Sequence, residues 1–200
     1  MLNLLAGYRR FRENQWPAKR ELFESLARSG QHPNALVLTC VDSRVDPAMI
    51  FDATPGEMLV ARNVAALVPP YRSNACEDIA AALEFAVKAM QVRNIMVMGH
   101  GLCGGAQALL DGSPENESIA RWMSLAWPAL GRVSRCASAE ERRRCCEHEI
   151  VKLSVANLAA IPWISSRVES GTLGLHGAWF DIGKGELLIL GPGGSFAPPV

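Results

Sequence analysis

NIMVMGHGLCGG, residues 94–105, runs a short apolar stretch straight into a glycine-rich turn that carries one histidine and one cysteine, His100 and Cys103. Ile95 to Met98 is apolar without alternation, which predicts a strand buried on both faces, and Gly99 ends it. A helix is expected to begin near Cys103 or Gly104. ALVLTCVDSR, residues 35–44, has the same construction: an apolar strand over Ala35–Thr39 that runs into Cys40, Asp42 and Arg44. Helical spacing of Ile79, Leu83, Ala86, Val87 and Met90 separates the two. Strands that alternate with helices in this way predict an α/β fold, a central mostly parallel sheet covered by helices.

Working outward, MLVA at 58–61 reads as another buried strand, reached through turn signals at Asp46-Pro47 and Pro55-Gly56. Upstream, Leu2 to about Asn14 places Leu2, Leu5, Tyr8 and Phe11 roughly on one helical face. A second helix is expected from Pro17 to Gly30. Downstream, a polar helical region over about 115–160 is broken near Pro128 and again over 131–138. Its EERRR run from Glu140 reads as a solvated face. Two further strands are expected over 173–182 and 186–190, and the tail GPGGSFAPPV is expected to be irregular. The whole reads as one domain over 1–200, with a helical arm at 1–30, a metal-site core at 31–110, and helices and strands at 111–200.

Composition narrows the function. The chain is 49% apolar and 20% charged, and its 20 basic residues equal its 20 acidic ones. That balance gives no reason to expect nucleic acid or an anionic membrane as partner. No apolar run is long enough to span a bilayer, and the N-terminus lacks the marks of a signal peptide, so a cytoplasmic location is expected. Six irregularly spaced cysteines in such a chain read as thiols or metal ligands rather than a disulfide framework.

The chemistry gathers where strands end. In parallel sheets, sites form beyond the carboxyl ends of the strands. Cys40 from one such end, with His100 and Cys103 from another, makes a Cys₂His set that leaves one position of a tetrahedral zinc open, the pattern of a catalytic site. The competing reading is that each cysteine is a small buried hydrophobe. Cys145, Cys146 and His148 read as surface groups on a solvated helix, Cys76 and Cys136 as ordinary thiols, and His32 and His176 as unremarkable.

CVDSRVDP, PGEMLVARNVAALVPPY, EFAVKAMQV and NIMVMGHGLCGG together resemble the β-class carbonic anhydrases without a break from about Gln31 to Leu110, and more weakly near HGAWFDIGKGEL. The resemblance implies Zn²⁺ on Cys40, His100 and Cys103, reversible hydration of carbon dioxide to bicarbonate, and a homodimer or larger homo-oligomer whose active sites lie at the interface. The N-terminal helices are expected to pack on the partner subunit. Zinc lowers the pKa of a bound water, as in the unrelated three-histidine carbonic anhydrases. Two thiolate ligands should leave that water less acidic than three imidazoles would, favouring mildly alkaline pH. Arg44 is expected to hold Asp42 off the metal in a bidentate pair.

Further positions follow from the same resemblance. Gln31 matches a hydrogen-bond donor near the substrate, Leu59, Val64 and Phe85 match the apolar carbon dioxide pocket, and the Gly104 N–H is placed to meet bicarbonate. A regulatory subgroup binds bicarbonate through a tryptophan, an arginine and a tyrosine. The corresponding positions here are Val37, Arg62 and Phe180, so the permanently open form is expected. Two other readings remain: hydrolysis of carbon disulfide or carbonyl sulfide at the same zinc, and a zinc-holding or redox-sensing protein without turnover.

Overall fold

The computed structural model describes residues 1–71, 78–112, 117–133 and 138–199. Among these, strands β1 (Ala35–Cys40), β2 (Met58–Asn63), β3 (Asn94–His100), β4 (Gly174–Asp181), β5 (Glu186–Leu190) and β6 (Phe196–Ala197) form one sheet in the order β2-β1-β3-β4-β5-β6. Pairings from β2 through β4 are parallel, and β5 and β6 are added antiparallel. The mostly parallel α/β sheet expected from the sequence is therefore present, with two features that the sequence reading missed. β6 falls in the tail that was expected to be irregular, because two residues are too few to show a period. The second is the buried stripe of the helix that ends the helical region expected over about 115–160 and covers the sheet.

That helix, α8 (Ala139–Ala159), starts with a capping box, in which the Ser138 hydroxyl accepts from Glu141 N and the Glu141 carboxylate accepts from Ser138 N. It packs across β3 and β4 and buries Cys146, Glu147, Ile150, Val151, Ser154 and Leu158. Positions 146, 150, 154 and 158 repeat every four residues, and 147 and 151 widen the stripe. The expectation of surface groups at Cys145, Cys146 and His148 is thus corrected. Cys146 is 0% exposed, Cys145 is disulfide-bonded, and His148 stacks on Trp179 and Phe196. The charged run ahead of the stripe disguised it. Cys76 and Cys136 lie outside the described residues.

The larger core joins Leu36, Leu38, Ile95 and Val97 on one sheet face to Ile79, Leu83, Ala86 and Val87 of the helical segment from α4 (Asp78–Glu84) onward, and to Val151 and Leu158 of α8. A smaller cluster on the other face centres on Val37, Met98 and Ala178. At the N-terminus, α1 (Leu2–Arg10) passes through a π-helical turn into α2 (Trp16–Ser29) without the expected break. Gly30, at φ 79°, ends α2 as its sequence suggested. Neither helix of this arm buries a residue within the chain, and Leu2 is 83% exposed.

Topology positions the site. From β1 the chain moves to β2 on one side and later returns to β3 on the other, so the strand order reverses between β1 and β3. Thr39 pairs with Met98, which sets the end of β1 beside the end of β3. A crevice opens at such a switch point, outside the carboxyl ends of the strands. The packing above it is close: a Cβ on Gly99 would lie 2.5 Å from Val151 Cγ2. Gly99→Ala should therefore destabilise the fold by about 1–3 kcal/mol, and Val151→Ala in the same chain should recover part of that loss, both measured by denaturant unfolding.

Candidate metal centre

Cys40 is the last residue of β1, His100 the last of β3, and Cys103 caps α5 (Gly104–Asp111). All three are buried, and their donor atoms lie within 4.8 Å of one another. Donors held about 2.0–2.3 Å from one zinc must sit at about that mutual spacing or somewhat closer. The orientation of the histidine supports a cation. His100 is 1% exposed, its Nδ1 hydrogen-bonds the Gly101 carbonyl at 2.8 Å, and its buried Nε2 has no hydrogen-bond partner. A carbonyl can only accept, so Nδ1 carries the proton and Nε2 presents a lone pair towards the cysteines. Two sulfurs and one imidazole nitrogen form a donor set that suits zinc.

The surrounding backbone is bent to serve these donors. Ala65 and Leu102 have left-handed φ of 65° and 59°, conformations that non-glycine residues adopt at a cost. In that posture the Ala65 N–H donates to Cys40 Sγ at 3.3 Å. Hydrogen bonding from Cys103 chiefly, with this Ala65 bond adding to it, holds the Cys40 thiol well below its ordinary pKa against the effect of burial. The hydrogen bond with Cys40 and burial push the Cys103 thiol up, and the amides of Ala106 and Gly105 at the start of α5 pull against them. Gly105 cannot carry a side chain, because a Cβ there would lie 2.8 Å from Val64 and 2.9 Å from Ala65.

Asp42 lies where the sequence placed it. Arg44 Nε donates to its Oδ1 at 2.9 Å and Arg44 Nη2 to its Oδ2 at 2.7 Å, a bidentate pair. The same Nη2 reaches the Leu102 carbonyl at 3.2 Å, which ties the β1 loop to the β3 turn. Asp42 Oδ2 is 4.0 Å from His100 Nε2, at the edge of the donor cluster. The hydrogen bonds from Arg44 hold the Asp42 carboxyl well below the usual carboxylate range, against the opposing effect of burial. Arg62, on β2, donates to the carbonyls of Cys40 at 2.9 Å and Asp42 at 2.6 Å, with Val45 at 3.4 Å. Its guanidinium is thus committed to shaping the Cys40–Val45 loop. Val37 is buried in the sheet, and Phe180 pairs with His100 across β3 and β4.

The proposed substrate residues are less concentrated. Val64 lines a cavity of about 590 Å³ with Val41, Val60, Arg62, Ile79 and Trp122, next to the Cys40 loop. Leu59 packs against the larger core. Phe85 is 47% exposed on the helix after α4, and Gln31 is exposed in the loop before β1. Gly104 opens α5 with free space around it. Within one chain, then, the fold gathers the three candidate metal ligands and the Asp42–Arg44 pair but leaves Gln31, Leu59 and Phe85 apart from the cavity lining.

Sequence reasoning also missed Glu147. This α8 residue is 4% exposed, and its carboxylate accepts from Cys103 N and Trp179 Nε1, each at 3.1 Å. Burial pushes its carboxyl pKa up, against the pull of those two donors. Its place four residues before Val151, beside the stripe that runs back from Leu158, was the available signal.

Known proteins resemble this chain in sequence and fold. The family model described as carbonic anhydrase matches residues 35–187. Beta carbonic anhydrase 3 of Arabidopsis thaliana is 35% identical over 188 residues, which span 90% of this chain and 72% of that protein. The solved structure of the β-carbonic anhydrase CcaA superposes with a TM-score of 0.94 at 32% identity, over 100% of this chain and 92% of its own. A tetrameric β-carbonic anhydrase of the ascomycete Sordaria macrospora gives 0.77 at 29% identity, over 94% and 92%. With its buried cysteine, histidine and cysteine at the switch point of a parallel sheet, this chain belongs to the carbonic anhydrase family, in its β class.

Proposed function

We propose that this chain catalyses the reversible hydration of carbon dioxide to bicarbonate and a proton, with one zinc ion per subunit on Cys40, His100 and Cys103. Family membership supports the activity, and the buried Cys₂His cluster supports the metal. Zinc held there would lower the pKa of a water ligand towards neutrality and so supply a hydroxide nucleophile. The residues of the chain supply placement and selectivity. Arg44 occupies both carboxylate oxygens of Asp42 and so keeps that carboxylate from closing the fourth metal position. Asp42 retains lone pairs with which to accept a hydrogen bond from the nucleophile and orient it. Val41 and Val64 present apolar surface suited to carbon dioxide, and the Gly104 N–H offers a donor for bicarbonate oxygen.

The bidentate Asp42–Arg44 pair at the edge of a buried Cys₂His cluster is the observation that carries this reading. A purely structural zinc site has no need of it. Stopped-flow carbon dioxide hydration by the zinc-loaded protein tests it. Activity should rise along one smooth ionisation from about pH 6.5 to 9. The rise would come from the water ligand that zinc makes acidic. Asp42 adds no break to it, because its depressed carboxyl stays ionised throughout that range and its pairing is lost only when acid carries the pH down through its folded pKa. A steep, cooperative collapse near neutrality would contradict the permanently open form. Activity on carbon disulfide or carbonyl sulfide alone would contradict the assignment of substrate.

Asp42→Ala should keep zinc, measured by metal analysis, while kcat falls by about 10²-fold or more. Loss of zinc together with activity would assign Asp42 a metal-holding role instead.

The same reading includes a homodimer or larger homo-oligomer. The helices of the N-terminal arm bury none of their own residues in this chain, and Leu2, Leu4, Leu5 and Tyr8 are exposed. Val41, Val60 and Leu102 are likewise exposed near the site, and Phe85 on the helix after α4. A partner that covered both sets would also bring separated substrate residues together. The doubly charged variant Leu2→Asp/Leu4→Asp should shift sedimentation towards monomer, whereas unchanged assembly would remove the arm from the interface.

A further inference from the structure

Glu147 takes no part in the reading given above, yet it is a buried carboxylate placed directly behind a ligand. Burying such a group is costly unless its oxygens are hydrogen-bonded. Here each oxygen has one donor, Cys103 N for Oε1 and Trp179 Nε1 for Oε2. The turn it grips is short and constrained. His100 and Cys103 are joined by Gly101 and Leu102, and Leu102 is left-handed. Gly101 N donates to the Phe180 carbonyl at 2.9 Å, and the Trp179 ring lies so close that a Cβ on Gly101 would stand 3.1 Å from it. Arg44 holds the Leu102 carbonyl from the opposite side. Among the described residues, Glu147 alone reaches the amide of the ligand Cys103 itself, from a helix whose Ser154 and Asn157 also fasten Val68, beyond the Ala65 turn.

We propose that Glu147 is a positioning residue of the metal centre: its carboxylate, steadied by Trp179, fixes the Cys103 backbone so that Cys103 Sγ and His100 Nε2 converge on one ion. The inference rests on the reading that Cys40, His100 and Cys103 hold zinc. Groups that orient metal ligands from behind commonly change metal retention by about 10–100-fold when altered. A residue that only fills the core would change stability without changing retention in this selective way.

The test uses the zinc-loaded protein with Glu147→Gln, Trp179→Phe and the two combined, and reads zinc release to excess chromogenic chelator. The cobalt-substituted proteins add the thiolate-to-metal charge-transfer band. Glutamine matches glutamate in shape but has one acceptor, and its NH₂ must face one of the two donors. Glu147→Gln should release zinc about 10–100-fold faster and shift the cobalt band. Trp179→Phe removes the second donor and leaves the bond to Cys103 N available, so the combined variant should release zinc within about threefold of Trp179→Phe alone. Unchanged release in Glu147→Gln would overturn the proposal, as would release from the combined variant as fast as from Glu147→Gln. If Glu147→Gln does not fold, the combined variant decides by the same threefold criterion. A wild-type protein that takes up no zinc would overturn both the metal-centre reading and this inference. One that holds zinc without hydrating carbon dioxide would overturn the activity and leave Glu147 to be judged by zinc release.

Discussion

Parallel pairing of β1 with β3, at the point where strand order reverses, is the constraint on which the rest of this molecule depends. It sets Cys40 beside the turn that carries His100 and Cys103, in a crevice that the sheet geometry opens at its carboxyl edge. Each ligand then arrives from a rigid element or its first turn, and little conformational entropy remains to be lost when a metal binds. The position of Asp42 follows from the same pairing, because the Arg44 that holds it is tied to Leu102 on the neighbouring segment.

Around that crevice the backbone does much of the chemical tuning. The left-handed Ala65 aims an amide at Cys40, the start of α5 aims amides at Cys103, and the Gly101 carbonyl fixes the His100 tautomer. The first contact favours the Cys40 thiolate, the second opposes the rise of the Cys103 thiol, and the third turns the His100 Nε2 towards the cluster, as binding of a cation requires. Arg62 and Glu147 supply charge from outside the cluster, one gripping the carbonyls of the Cys40 loop and the other the amide of Cys103. The site is therefore held from both sides of the sheet edge by side chains that touch no donor atom themselves.

Much of this was legible in the residues. Uninterrupted apolar runs ending in Cys40 and His100 disclosed both strands and the place where chemistry would gather, and Asp42 with Arg44 disclosed the ion pair beside it. The remainder was hidden for physical reasons. The Ala65 amide is backbone, and no residue type announces a donor made by an unusual φ. Glu147 sits at the end of a run of charges that resembles a solvated face, although its register with Val151 puts it inside. A two-residue strand such as β6 is too short for periodicity. Gln31, Leu59 and Phe85 stand apart from the cavity that Val64 lines, a spatial relation that the local pattern of the residues does not encode.

The central claim is that Arg44 holds Asp42 beside the metal but off it. A crystal structure of the zinc-loaded protein near neutral pH tests it most directly. The account predicts zinc on Cys40, His100 and Cys103, with the Asp42 carboxylate still paired to Arg44 and absent from the ligand set. Asp42 bound to zinc with Arg44 turned away would contradict it.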